Sequence, residues 1–555
     1  MNTYFDSELH LQSEHLYLRF TEERDAKDLF DAIFHDRKVL EYYMAAYAED
    51  RDSFTLKEMI SRCREREILC LSILLKDTHK VIGMLNQTGE YNEGQIELGY
   101  ALSSAYWNRG YMSEALSAVM EYLFAHGVRK IVCGFFKGNI ASKRVMQKCH
   151  MHFQEVREKE ISYHGDFKDV IYYCREGETS MENGWNRCWT EVDLSVLRRN
   201  YRIYQKEQSQ NRKIMAVVKA DAYGHGDVEV ARVLQEEGCF DFAVSNIEEA
   251  LRLRNSGIEG QILILGYTPL NHAQELYDND ITQALISYDY ARELSEFHLP
   301  IKAQFAIDTG MRRIGLNADD LDLCEKTIRQ YYDVFHLTGM FTHLSVADSE
   351  NEEDVEFTRE QIDKFTRLAD RISDLHLENI HCMNSAGGLW HEARYSTYSR
   401  LGIILYGLKP DYKRQLPAGI EPVMQWKSVI SMVKRIKPGD SVGYGRTFIA
   451  QKPMRIATVS AGYADGYSRQ LSNVGYVLVH GRKARIIGRI CMDQFMIDIS
   501  DIEDVRLSDE VVLFGKQGEE EITADDIANS IYTIGYEVIC GITSRVKRIY
   551  INRNE

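Results

Sequence analysis

The sequence predicts a chain of α/β and α+β parts: an N-terminal α/β domain, then a (β/α)8 barrel followed by a C-terminal β-rich domain. Three observations predict this. Residues 176–186, EGETSMENGWN, are polar, contain glycine and show no periodicity, so they read as a linker. Beyond it, short apolar runs alternate with helical patterns as far as residue 420, the rhythm of parallel βα units that close most economically into a barrel. From residue 421 the rhythm changes to strands joined by turns, as in VMQWKSVISMVKRI, RIATVSAG, GYVLVHGRKARIIGRI and EVVLFGK. The expected domains are 1–175, 187–420 and 421–555, with the linker at 176–186. Met181 inside the linker could mark an old start site.

Composition narrows the function classes. At 555 residues the chain can hold about three or four domains. Hydrophobic residues at 44% and charged residues at 27% suit a soluble globular protein, and no apolar run approaches the roughly 20 residues of a membrane span. The N-terminus lacks a basic-then-apolar export signature. Lys and Arg number 67 against 84 Asp and Glu, a net charge of −17, which excludes a global basic footprint for nucleic acid or anionic lipid. Eleven cysteines without CxxC or ligand spacing read as reduced thiols, so no metal is expected and the cytoplasm is the expected location. No repeat of 20–50 residues is visible.

In the first domain, Ile96, Leu98, Tyr100 and Leu102 alternate with Glu97, Gly99 and Ala101, the period of a strand. A loop centred on Arg109 and Gly110 follows. Leu116, Val119, Met120, Leu123 and Phe124 then recur at helical spacing until Gly127 ends the helix. Next, KIVCGFF (130–136) reads as a strand, ahead of GNIASKRVMQKC. Strand, glycine-bearing loop and helix make an anion site suited to a pyrophosphate, because free N–H groups and the positive dipole end meet there. A plain structural turn is the alternative for one glycine in one loop.

In the second part, ILILGY (262–267), ITQALIS (281–287), KAQFAID (302–308) and HLTGMFTHL (336–344) are the short apolar runs, with helical patterns such as FTRLADRISDLH between them. IMAVVKADAYGHG (214–226) is an apolar strand that runs into Lys219 and a glycine-punctuated turn. A lysine there either snorkels to water or, desolvated at the mouth of the first barrel strand, becomes a nucleophile able to form a Schiff base.

IELGYALSSAYWNRGYMSEAL and GNIASKRVMQKC resemble the GNAT family of acetyl-CoA-dependent N-acetyltransferases, over residues 10–175, especially its ribosomal-protein-acetylating branch. The resemblance implies that the loop at Arg109, Gly110, Met112 and Ser113 holds the coenzyme A pyrophosphate and that Asn139 and Ser142 contact acetyl-CoA. Two positions depart from the pattern. Met112 stands where a second Gly or Ala is usual, and His150 stands where Gly usually follows Lys-Cys; both are expected to weaken coenzyme binding.

AVVKADAYGHG, IDTGMRRIG, FTHLSVAD, NSAG, RLGIILYG, SVGYGRTF, AGYADGYSR, GRICMDQFMIDIS and IGYEVICGITSRV, in order across residues 186–555, resemble alanine racemase and its serine-racemising relatives. The resemblance implies a barrel and a β-domain working as a head-to-tail homodimer. It implies that Lys219 carries pyridoxal phosphate as a Schiff base and serves the D face of an amino acid, while Tyr444 serves the L face. It places His343 beside that tyrosine and Arg400 behind the histidine, facing the pyridine nitrogen. Tyr223, Ser385, Gly402, Ile403 and Tyr536 map onto the phosphate grip, with Asn384 also at the cofactor. Arg313 and the backbone at Met492 map onto the substrate carboxylate, and Asp493 orients the entrance side. Alanine is the expected substrate, in supply of D-alanine to peptidoglycan, since Tyr536 narrows the site; serine is the alternative. A further alternative keeps one half only as a ligand-binding regulatory module.

Other residues read as structural. Tyr463 and Tyr467 are expected in the β-domain core, Cys491 as a packed thiol, and His225 and His381 as structural histidines. The family's lysine two residues before the Asp of DTGM, often carbamylated, is Ala306 here, so another group must take the place beside Arg313. Leu401 replaces the family's proline and is expected to loosen a turn.

Overall fold

The computed structural model describes residues 9–43, 69–88, 94–163, 166–177, 186–210, 212–410 and 414–553. Most of the linker expected at 176–186, Met181 included, lies outside them. The chain forms two compact units, residues 1–182 with 255–257 and residues 183–254 with 258–555. No helix among the described residues is long and apolar enough to cross a membrane.

The N-terminal unit is an eight-stranded sheet. Its strands run antiparallel from His10–Gln12 through Leu16–Phe20, Cys70–Leu75 and Val81–Gln87 to Gln95–Leu102. Gln95–Leu102 then pairs in parallel with Lys130–Phe136, and the hairpin His152–Tyr163 and Asp166–Glu176 completes the sheet. The parallel pairing covers only Gln95–Lys130, Ile96–Ile131 and Glu97–Val132, although the strands continue to Leu102 and Phe136. Beyond Glu97 and Val132 no ladder pair joins the two strands among the described residues, so they splay apart there. The helix Tyr111–Ala125 packs Met112, Ala115, Leu116, Val119, Met120 and Leu123 into the core at the spacing its sequence predicts.

The second unit holds the barrel. Eight parallel strands succeed one another: Lys213–Val217, Asp241–Val244, Gln261–Ile264, Thr282–Leu285, Lys302–Asp308, His336–Phe341, Asn379–His381 and Tyr398–Leu401. The eighth pairs with the first through Lys213–Tyr398 to Ala216–Leu401. A Met383–Ser399 bridge links it to the chain leaving the seventh, so the ring is nearly closed. These strands are continuous apolar runs because helices cover them outside and side chains fill them inside. Leu401 is fully buried in the eighth strand, opposite Ala216, so the expected loosened turn does not exist there.

The β-domain is built on the long strand Met424–Ile436, which pairs antiparallel with Met454–Val459, Glu510–Gln517 and Cys188–Asp193. Cys188–Asp193, which precedes the barrel in sequence, also pairs in parallel with Lys547–Ile551. Tyr467 lies in this core, edge-on to Trp426 and stacked on Phe495. Tyr463 does not: it is 43% exposed, because its short 3-10 turn carries it out over the Cys491–Met492 backbone. Cys491 is half-buried rather than packed away, its Sγ 3.6 Å from the Arg489 carbonyl.

Candidate active site at the barrel mouth

Lys219 follows the first barrel strand by two residues and opens into a cavity of about 250 Å³. The cavity is lined by Lys219, Arg313 and Arg400 against one acid, Asp308, so its field favours anions. His343, Ala306 and Phe341 also line it. Burial first, and then the Arg313 charge, push the Lys219 amine below the ordinary lysine value.

The turn carrying this lysine is left-handed. Ala220, Asp221, Ala222 and Tyr223 have φ of 52, 55, 51 and 54°. Each such residue costs roughly 1–2 kcal/mol, so the conformation persists only where its surroundings impose it. They do so at both ends. The Ala220 N–H donates to Glu249 Oε1 at 2.8 Å. Arg548 Nε donates to the Gly224 carbonyl at 3.0 Å while its other nitrogens hold the carbonyls of Ile542, Thr543 and Val546. Gly226 must be glycine, since a Cβ would sit 1.8 Å from the Tyr550 hydroxyl at φ +95°. His225 is buried under the turn against Tyr406, and burial pushes it down to about 4.

The turn delivers Tyr223 to a second group of residues. Ser385 Oγ accepts the Gly402 N–H at 2.7 Å, and a Cβ on Gly402 would lie 2.8 Å from the Tyr223 hydroxyl. Tyr536 stands against Tyr223 with ring centroids 6.1 Å apart. Asn384 caps the next segment, its Oδ1 accepting from the Gly387 N–H, and Ile403 begins the 3-10 turn after Gly402. The structure thus brings Tyr223, Ser385, Gly402 and Tyr536 together.

Arg400 is 3% exposed and remains a cation, though burial lowers it to about 10. Its Nη1 donates to His381 Nδ1 at 2.7 Å, and its Nη2 donates to the Thr342 carbonyl at 2.6 Å and faces His343 Nδ1 at 3.3 Å. A guanidinium only donates, so both histidines present a lone pair to it. His381 must then carry its proton on Nε2, which donates to Gln304 Oε1 at 2.8 Å. Burial and the Arg400 charge hold both rings well below the usual histidine value. His381 and Gln304 orient the arginine; the sequence reading treated His381 as structural and did not single out Gln304. The signal available was the strand period, which puts Gln304, Ala306 and Asp308 on one face.

Ala306 has no amine, so no carbamate forms at this position. It packs with Ala284 and Phe341, beside Leu265, Ile286 and Ile314. Tyr444 and Met492 do not line the cavity of their own chain: they are 71% and 53% exposed in the β-domain. Asp493 pairs with Arg545 at 2.7 Å.

In the N-terminal unit, Gly110 caps the helix Tyr111–Ala125 at φ +83° with nothing near a would-be Cβ. Arg109 lies over the Tyr106 ring, and Ser113 is in the first turn. Met112 points into the core, away from this loop, so its side chain does not obstruct it. His150 adopts φ +58° and closes the helix Ile140–Lys148 as a glycine would, with the Met151 N–H reaching the Met146 carbonyl. Asn139 Oδ1 accepts the Ser142 N–H, and Ser142 Oγ lies 2.7 Å from the Tyr100 hydroxyl, at the splay.

Residues 192–410 and 423–550 match the families described as alanine racemase, N-terminal domain, and alanine racemase, C-terminal domain. "Alanine racemase 2" of Caldanaerobacter subterraneus subsp. tengcongensis is 41% identical over 373 residues, 66% of this chain and 95% of that protein. The chain belongs to the alanine racemase family. Solved racemase structures agree. That of Clostridium difficile 630 matches at TM-score 0.62 and 35% identity, covering 67% of this chain and 97% of that one. That of E. faecalis matches at TM-score 0.62 and 32% identity, covering 66% and 99%. This racemase carries in addition an acetyltransferase (GNAT) domain, matched at residues 15–152.

Proposed function

We propose that the chain racemises alanine with pyridoxal phosphate held on Lys219, supplying D-alanine to peptidoglycan in the cytoplasm. The observation that carries this is one positive cavity containing a desolvated lysine amine, a buried guanidinium and, through the same strained turn, a hydroxyl-lined cradle. The set fits a ligand with an aldehyde, a ring nitrogen acceptor and a phosphate. When bound, pyridoxal phosphate supplies the electron sink that acidifies the α C–H of an amino acid.

The chain's own groups do the rest. Tyr223, Ser385 and Tyr536, with the Gly402 and Ile403 backbone, take the phosphate; Asn384 lies beside them. Arg400 keeps the ring nitrogen unprotonated, because guanidinium does not surrender its proton. Arg313 receives the substrate carboxylate, joined by the Met492 backbone. Lys219 Nζ exchanges the proton on one face. The other face needs a second group. Besides Lys219, the titratable side chains at the cavity are Asp308, Arg313, His343 and Arg400. Asp308 Oδ1 already accepts the Gly310 and Arg312 N–H groups, and the arginines and the tied histidine are poor bases. An exposed Tyr444 brought by a second copy in a head-to-tail homodimer fills the role, with its phenol oxygen moving the proton. The N-terminal unit is proposed to transfer acetyl groups from acetyl-CoA, the pyrophosphate resting on Arg109, Gly110 and Ser113, with Asn139 and Ser142 at the splay.

Purified protein given L-alanine and L-serine, followed by chiral analysis, tests the reading. D-alanine should form with concomitant visible absorbance of bound pyridoxal phosphate. D-serine alone would transfer the assignment to serine.

A further inference from the structure

Glu249 is buried at the barrel mouth, in the first turn of the helix Ile247–Asn255. Its two oxygens serve two different loops. Oε1 accepts the Ala220 N–H at 2.8 Å, one residue beyond Lys219, and Oε2 accepts the Ser245 N–H at 2.8 Å, just beyond the second barrel strand. Its own N–H is held by Asn246 Oδ1 at 2.9 Å. Only a carboxylate of this length can take two N–H donors on opposite oxygens; a glutamine presents an NH₂ to one of them.

We propose that Glu249 is a positioning residue for Lys219: it forces the chain into the left-handed turn immediately after the lysine and sets where the ε-amine and the Tyr223 hydroxyl stand. The inference rests on the reading of Lys219 as the amine that holds pyridoxal phosphate. Geometry is half of the argument. Without the Ala220 bond, the strained stretch loses its hold next to the lysine and keeps those farther on, the Gly226 N–H on the Asp221 carbonyl and Arg548 on the Gly224 carbonyl. Charge is the other half. Arg313, Arg400, Cys540 and Glu249 face the Lys219 amine, with His343 beside it. Burial and the two guanidiniums disfavour the lysine cation, and Glu249 is the carboxylate that favours it.

The test uses the full-length holoprotein and the visible absorbance of its bound pyridoxal phosphate, read against pH and during dialysis. Glu249→Gln keeps the arm and removes the charge. The pH midpoint of the absorbance change should fall by roughly half a unit to one unit, and cofactor should leave on the order of tenfold faster. Glu249→Asp keeps the charge and shortens the arm; its midpoint should stay near wild type while cofactor still leaves faster. If Glu249→Gln does not fold, Asn246→Ala removes the side chain that holds the Glu249 N–H while leaving the carboxylate's charge; cofactor should leave faster by less, with the midpoint near wild type. Wild-type midpoints and dialysis rates in the folded variants, with only a lowered melting temperature, would overturn the proposal. Absence of the absorbance in the wild-type chain would instead overturn the reading of Lys219, and with it this one.

Discussion

The two candidate sites differ in how much of the molecule holds them. At the barrel mouth the buried arginine, its histidine and the turn behind the lysine are each braced by other groups. Arg400 is gripped by His381 and the Thr342 carbonyl, His381 by Gln304, and the Lys219 turn by Glu249 and Arg548. At the loop before the helix Tyr111–Ala125 the candidate parts are chiefly a left-handed Gly110 in open space, the N-terminal turn of one helix and a gap between splayed strands. The contrast follows the chemistry. Moving protons to and from one carbon demands side chains fixed to fractions of an ångström, whereas gripping a pyrophosphate asks mainly for backbone donors and space.

The sharpest way to break the comparison is to remove single groups from each side. Lys219→Ala should abolish the visible absorbance and lower racemisation by more than about 10⁴-fold, since both anchor and proton carrier are lost. Retention of even a hundredth of the rate, measured by chiral chromatography, would place the chemistry elsewhere. Tyr444→Phe should keep the absorbance and lose about 10²–10⁴-fold, the usual scale of a general base. Mixing the two inactive variants should then restore some turnover, because one site of each heterodimer has both groups. No recovery despite proven subunit exchange would put both bases on one chain.

Bracing also has a pH signature. His225 falls from 6.5 to about 4 on folding. Above pH 6.5 it is neutral in folded and unfolded chains alike, and its contribution is fully present. Between 6.5 and about 4 only the unfolded chain takes the proton, so stability drops as pH falls, by on the order of 3 kcal/mol. Melting curves of the racemase unit across that window should show the fall, and His225→Gln should flatten it.

The open loop predicts a different response. Gly110→Asp adds a Cβ at φ +83° and a negative charge where phosphates would lie, so acetyl-CoA should bind at least about tenfold more weakly by calorimetry. Racemisation by the same protein should be unaffected. Binding of wild-type strength would move the pyrophosphate away from this helix. The smallest effect belongs to Ala306. Activity should be indifferent to removal of carbon dioxide, and Ala306→Lys should change KM more than kcat, by a few-fold, through Arg313. Loss of activity in degassed buffer would show that a carbamate forms on some other lysine.

Much of this was legible in the chain because it is local. KIVCGFF and KAQFAID are strands over the residues their apolar runs predict, and the lysine stands at the mouth of the first barrel strand. The braces were not legible. Gln304 and His381 are 77 residues apart and meet only once the fifth and seventh strands flank the sixth. The left-handed turn has no signal either: Ala220, Asp221, Ala222 and Tyr223 include no glycine, and local preference favours the opposite hand. The splay was hidden because periodicity gives strands but not where their pairing stops. Tyr463 was misplaced for a related reason, since alternation cannot tell a strand residue from one lifted out by a 3-10 turn.

The reversed hand behind Lys219 also sets a schedule for the growing chain. No local preference can keep that turn, so it waits for its clamps. Glu249 arrives 29 residues after Ala220, but the Arg548 guanidinium arrives 324 residues after the Gly224 it holds. A ribosome that has delivered the entire barrel has still not delivered this brace. The turn behind Lys219 gains this clamp only when the strand Lys547–Ile551 folds back beside Cys188–Asp193, so the hand of a turn at the start of the barrel is settled by the last strand of the chain.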